Sequence, residues 1–174
     1  LYKHRSASQL AQIYLNTSDF ENAAIYIKLF DKKYKYQHFC GNELAAHEIY
    51  TAKSYARLYN GQGKTEEAIK ILLPYIFDNG LASNYSLIDL LSGLLEQQYS
   101  KEIMTEMINA ARTSLTVKDE DTAYIKFIGT KIKMYDYQLF DLKNPEYQAN
   151  IELSGVEKWQ KVFDTNPIFE YYLN

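Results

Sequence analysis

With 174 residues the chain suits one domain, able to bury about 70% of its unfolded surface without a covalent staple. Nineteen basic against 22 acidic residues give a net charge of −3, and no Lys/Arg-rich run appears, which argues against a nucleic-acid surface or an anionic-membrane anchor. The single Cys40 cannot form an internal disulfide, and no apolar run approaches the roughly 18 residues of a membrane span.

Three prolines, seven glycines and abundant Leu, Ile, Ala, Glu, Lys and Gln predict an all-α chain with short connections. The opening residues, LYKHRSASQL, lack the plan of a signal peptide, start without methionine and begin inside a helical pattern. A removed leader or further N-terminal sequence is therefore expected. The lone cysteine is compatible with a reducing compartment without establishing one, so the compartment of this soluble chain stays open, the cytoplasm slightly ahead of export after removal of a leader.

Leu10, Ala11 and Tyr14 share one face of a first helix. Ser18 to Glu21, Ser-x-x-Glu, reads as a capping box starting a second helix at about Asp19, with Ala23, Ala24, Ile27 and Phe30 turned inward. A polar and aromatic connection around 32–41 leads to a third helix over about Asn42 to Asn60. Gly61, Gly63, Lys64 and Thr65 then resemble the end of a nucleotide-binding phosphate loop. Such a loop needs a further glycine at position 58, which is Leu58, and a strand leading in, whereas the preceding residues have helical spacing. The glycines are read instead as a helix stop, with Thr65 as the cap of a fourth helix and Glu66 and Glu67 at its positive end.

The fourth helix carries Ala68, Ile69, Leu72 and Tyr75, with a kink or frayed end expected at Pro74. A leucine-rich helix over 85–98 follows, then Ser100 capping a helix that buries Ile103, Met107, Ile108 and Ala111, which together make a third hairpin. A seventh helix is predicted over 120–138, presenting Tyr124, Ile125, Ile128, Ile132 and Tyr135. Beyond the Asn144-Pro145 turn, Tyr147, Ala149, Ile151 and Leu153 alternate with polar residues as a short strand or an extended segment. Ser154 to Glu157 forms another capping box before a helix with Val156, Trp159, Val162 and Phe163, and Pro167 suits the first position of a last helical turn.

The hairpins repeat. LAQIY at 10–14 followed by SDFENA at 18–23 matches YARLY at 55–59 followed by GKTEEA at 63–68, placing Ala11 with Ala56, Tyr14 with Tyr59 and Ala23 with Ala68. This pattern resembles the tetratricopeptide repeat, with its small residue and aromatic on one helix and an alanine on the next. Small residues let two helices approach closely, and the tyrosine fills the space beside them. Ala68 lies 45 positions after Ala23, longer than the family's period of about 34. A third unit can be laid over Leu91, Ser92, Leu95, Met104, Ile108 and Ala111, with Tyr99 in place of the glycine and Met104 of the alanine, and Ile128, Gly129 and Ile132 suggest the first helix of a fourth. The resemblance implies a right-handed stack of antiparallel helical hairpins over residues 1–138, closed by an irregular C-terminal capping segment over 139–174.

Lys53 and Arg57 stand four apart on the third helix with no acid three or four residues away, on a face turned from the Ala56/Tyr59 stripe. In the family that face lines a concave groove. The alignment adds Arg5, Ser8, Gln12 and Asn16 from the first helix and Tyr50 and Asn60 from the third, implying a groove for an acidic segment or a C-terminal carboxylate of a protein or peptide partner. The competing reading is a solvated face paired with an acid on another helix. His38, Cys40, Glu43 and His47 are the candidates for a metal or thiol enzyme, but their spacing does not complete a metal site, so no cofactor, metal or catalysis is expected. Among the 17 tyrosines, Tyr14, Tyr55, Tyr59, Tyr75, Tyr124 and Tyr135 fall on packing stripes, while Tyr34, Tyr36, Tyr50 and Tyr85 are freer to contact a partner or a sugar. Helical repeat proteins resembling this one occur in bacterial glycan-uptake lipoproteins, so carbohydrate binding is one alternative and a sensor part of a longer chain another.

Overall fold

The computed structural model describes residues 2–32, 41–77, 85–136 and 153–173. The chain is mostly helical and divides into two compact units, Leu1–Leu72 and Leu73–Asn174. The expected turn at Asn144-Pro145 and the alternation over 147–153, apart from Leu153, lie outside the described residues.

The first unit consists of α1 (Tyr2–Asn16), α2 (Phe20–Asp31), α3 (Gly41–Gly61) and α4 (Thr65–Leu72). Helices α1 and α2 pack side by side, as do α3 and α4, and α3 lies against both members of the first pair. Ala11, Ala23, Ala56 and Ala68 are all fully buried, as the small-residue pattern requires of close helix contacts. Around the first pair, Ala7, Leu15, Ile27, Phe30 and Leu58 complete the core, and Tyr14, Tyr26, Tyr50 and Tyr55 pack against it half-buried. Tyr14 stacks on Tyr26 at 5.4 Å, and Tyr55 on Tyr59 at 6.0 Å. The Tyr55 hydroxyl also donates to Asp31 at 3.2 Å, and burial, with Asp31 second, pushes its pKa up to about 12.

The two hairpins turn in the same way, hydrogen bond for hydrogen bond. Asp19 N donates to Tyr14 O and Ser18 N to Leu15 O; forty-five positions later Lys64 N donates to Tyr59 O and Gly63 N to Asn60 O. These two bonds define a Schellman helix end, whose penultimate residue is left-handed. Gly63 takes that conformation with φ 76°, and Ser18 takes it with φ 59°. Two expected caps therefore move by one residue. Asp19, not Ser18, accepts from Asn22 N at 3.2 Å, and Thr65 is already helical, its hydroxyl donating to Asn60 Oδ1 at 2.9 Å.

Gly61 serves a different need. A Cβ there would stand 2.2 Å from the ring of Phe20, so the side chain of α2 rests directly on the end of α3. Gly61→Ala is expected to lower stability by about 1–3 kcal/mol through overpacking, measured by urea unfolding. Full rescue by an added Phe20→Leu would trace the loss to that contact. A Gly61→Ala protein as stable as the parent would rule it out.

The second unit opens with a 3-10 turn, Leu73–Tyr75, in which Pro74 ends the regular helix as expected. Then come α5 (Tyr85–Gln98), α6 (Lys101–Thr113), three strands, α7 (Gly155–Asp164) and α8 (Pro167–Leu173). Ser100 caps α6 by accepting from Ile103 N, and Pro167 does begin α8. Ser154 holds the cap position of α7 without a side-chain cap bond.

The predicted seventh helix is instead an antiparallel sheet, β1 (Thr116–Asp119), β2 (Thr122–Phe127) and β3 (Thr130–Met134), in the order β1-β2-β3. The alternation decides it: Ala123, Ile125, Phe127, Ile132 and Met134 are buried on one face, while Tyr124, Lys126, Lys131 and Lys133 lie on the other. Ile128 and Gly129, both at positive φ, make the tight turn between β2 and β3. The first helix of a fourth repeat unit does not survive this, whereas the all-α expectation holds for most of the described residues, with this one small sheet as the exception.

The third hairpin also differs. Helix α6 packs on β2 and α8, and α5 touches α8, whereas α5 and α6 do not lie together as the first two pairs do. Met104, fully buried where the first two units have alanine, is too large for that approach. Ile103 and Val156, expected in the core, are exposed.

Candidate functional site

On the first unit, polar residues of α1 and α3 meet 41 to 45 positions apart in sequence. Ser8 Oγ donates to the Tyr50 hydroxyl at 2.9 Å, and Gln12 Nε2 donates to Ser54 Oγ at 3.3 Å. Arg57 ends the series: Nη1 donates to Gln12 Oε1 at 2.5 Å and Nη2 to Asn16 Oδ1 at 2.7 Å. The spacing explains the ladder. Ser8, Gln12 and Asn16 recur every four residues on α1, and Tyr50, Ser54 and Arg57 every three or four on α3, so each helix presents one polar row to the other.

Six of the eight expected groove residues thus lie on one surface, five of them in mutual hydrogen bonds, with Lys53 one turn before Arg57 on α3. Burial, with the neighbouring Arg57 second, holds the Lys53 ammonium below its ordinary pKa. Asn60 accepts from Thr65 at the hairpin turn, and Arg5 is exposed near the start of α1. Tyr50 is less free than expected, since its ring tilts against Phe30 at 5.5 Å and its hydroxyl serves Ser8.

The residue that sequence reasoning missed is Ser54. It is 1% exposed, accepts from Gln12, and donates to the Tyr50 carbonyl at 2.9 Å. Its signal was position: a small polar residue four after Tyr50 and three before Arg57, within the row facing α1.

Chemically, the face is a guanidinium held by neutral oxygens. Among the described residues both partners of Arg57 are side-chain amides, which fix its plane without cancelling its charge. A carboxylate could take over either amide's place and gain a charge-assisted bond. Arg57 is half-buried, so that gain would be screened less than at a fully exposed site.

The enzyme candidates are not brought into one described site. His38 and Cys40, and the side chain of Glu43, lie outside the described residues, as do Tyr34, Tyr36 and the side chain of Tyr85. His47 is half-buried with its ring edge-on to Phe30 at 6.4 Å. The tyrosines expected in the core, Tyr14, Tyr55, Tyr59, Tyr75, Tyr124 and Tyr135, are half-buried rather than buried, because their hydroxyls must reach water or a partner. Among the described residues no helix is long and apolar enough to cross a membrane. No protein-family model, curated protein or solved structure matches the chain.

Proposed function

We propose that this chain is a non-catalytic, tetratricopeptide-like module that binds a protein or peptide through the α1/α3 face, with Arg57 and Lys53 receiving an acidic segment or a C-terminal carboxylate. In this reading the first two hairpins are successive turns of a right-handed stack, and Arg5, Ser8, Gln12, Asn16, Tyr50 and Asn60 line its concave side. The observation that carries it is the guanidinium of Arg57, fixed between two neutral amide oxygens of α1 instead of being cancelled by an acid. The identical hydrogen bonding of the two hairpin turns supports the repeat reading.

The test uses the full chain and a fluorescein-labelled tetraglutamate with a free C-terminus. Lys53→Ala combined with Arg57→Gln should weaken binding about tenfold, the equivalent of roughly 1.4 kcal/mol for two partly exposed charges. Glutamine at 57 keeps a donor for Gln12, so helicity by circular dichroism should hold. Equal affinity in parent and variant would discard the groove.

A further inference from the structure

The sheet of the second unit buries one face and leaves the other to solvent, and on β2 and β3 the outward charges are all positive, the one outward acid being Asp119 at the β1 end, across from Thr122. On β2 the outward positions are Thr122, Tyr124 and Lys126; on β3 they are Lys131 and Lys133. Lys126 pairs directly across from Lys131, and Tyr124 directly across from Lys133. Opposed side chains on adjacent strands stand about 4.5–5.5 Å apart at Cβ, where two like charges destabilise the pair. A sheet shaped only for stability would place an acid at one of these positions.

Among the described residues none of the three ammonium groups has a carboxylate partner. Of the nearby acids, Asp136 pairs with Lys158 at 3.3 Å, and Asp119 accepts from Asp121 N in the β1–β2 turn. The lysines lean on aromatic rings instead. Lys131 Nζ sits 4.2 Å from the centroid of Tyr124, and Lys133 Nζ 4.9 Å from that of Tyr135. Such contacts orient an ammonium without neutralising it.

We propose that this outer face is a second binding site, independent of the α1/α3 face, for an extended acidic peptide carrying carboxylates at alternate positions. The charges specify an anion, and the pleat specifies its form. Lys131 and Lys133 are two residues apart on β3, about 6.8 Å at roughly 3.4 Å per residue, which is also the repeat of alternate side chains in any extended peptide. A peptide running along β3 sets one carboxylate over Lys133 and the next between Lys131 and Lys126, turning a repulsive pair into a bridge. A single-stranded nucleic acid fits less well. Its bases need open ring faces for stacking, and an ammonium already covers a face of each tyrosine.

The probe is a fluorescein-labelled octapeptide of alternating Asp and Thr, titrated with the full chain at about 50 mM salt, where exposed charges are weakly screened. It should bind more tightly than a peptide of four Asp followed by four Thr, and Lys126→Ala/Lys131→Ala/Lys133→Ala should lose about tenfold in affinity. Because the α1/α3 face is itself proposed to take acidic segments, the titration is repeated in the Lys53→Ala/Arg57→Gln background, where binding to the sheet should persist and be lost only on adding the three lysine changes, so failure of one site is separable from failure of the other. Lys131→Glu gives a second readout: it should weaken binding by up to the same factor as the triple variant while raising Tm by about 2–4 °C, because it replaces the like-charged pair. Undiminished binding by the triple variant would overturn the proposal. So would loss of the interaction in the α1/α3 variant alone, or tighter binding of an eight-residue oligothymidylate.

Discussion

Phe169→Ala should destabilise the second unit by about 3–5 kcal/mol, the range for deleting a buried aromatic ring that neighbours cannot fill. The ring is fully buried on α8 and touches three others of different origin. Phe163 of α7 stacks on it at 4.3 Å with 17° between planes, Phe127 of β2 meets it edge-on at 5.2 Å, and Phe77 lies at 5.8 Å. One side chain thus joins helix, sheet and the segment after the 3-10 turn. The buried Asn166 fixes its position, donating to Ile76 O at 2.9 Å and accepting from Ile168 N at 3.1 Å, which leaves the short α8 little freedom to collapse into a void. Trp159 is the only tryptophan and is buried in the same unit, so its fluorescence during urea unfolding reports the loss. A decrease below about 1 kcal/mol would mean that α8 does not close this core.

What could be read in the sequence follows from how local each signal is. The first two hairpins were legible because Ala11, Ala23, Ala56 and Ala68 mark close helix contacts and Gly63 marks a left-handed helix end, all within a few residues of their effect. The polar row on α1 and α3 was legible for the same reason, since register across an aligned repeat predicts which residues face each other. Ser54 stands in the same row but is small and uncharged, so nothing except its position marked it as the partner of Gln12. The sheet was misread although its sign was present. Tyr124, Ile125, Ile128 and Ile132 satisfy helical spacing, but Ala123, Ile125 and Phe127 against Tyr124 and Lys126 satisfy strand spacing as well. The Gly129 turn and the β-branched Thr116, Val117, Thr122, Ile125, Thr130 and Ile132 should have decided between them. Val156 and Ile103 show the complementary limit: an apolar residue on a periodic stripe is buried only if another element comes to cover it.

Ala68→Met should cost the first unit about 3 kcal/mol, the upper part of the usual range for overpacking a filled core. Ala68 is fully buried on α4, which lies alongside α3. The same chain shows what methionine does at the corresponding place. Met104, 36 positions on, is also fully buried, yet α6 packs on β2 and α8 and not along α5. A methyl side chain permits the close approach of two helix backbones, and a thioether three bonds longer fills the space the second backbone would occupy. Size at this one position therefore separates a helical hairpin from two helices that find other partners. Ala110→Met, on the exposed side of α6, supplies the control for helix propensity alone and should change urea unfolding by less than about 0.5 kcal/mol. If Ala68→Met is as mild as the control, α3 and α4 are not held by close backbone contact, and the repeat reading of the first unit loses its physical basis. A large loss with retained helicity would show that the Arg57 face depends on the same contact, since α3 carries Lys53 and Arg57 on the helix that Ala68 packs.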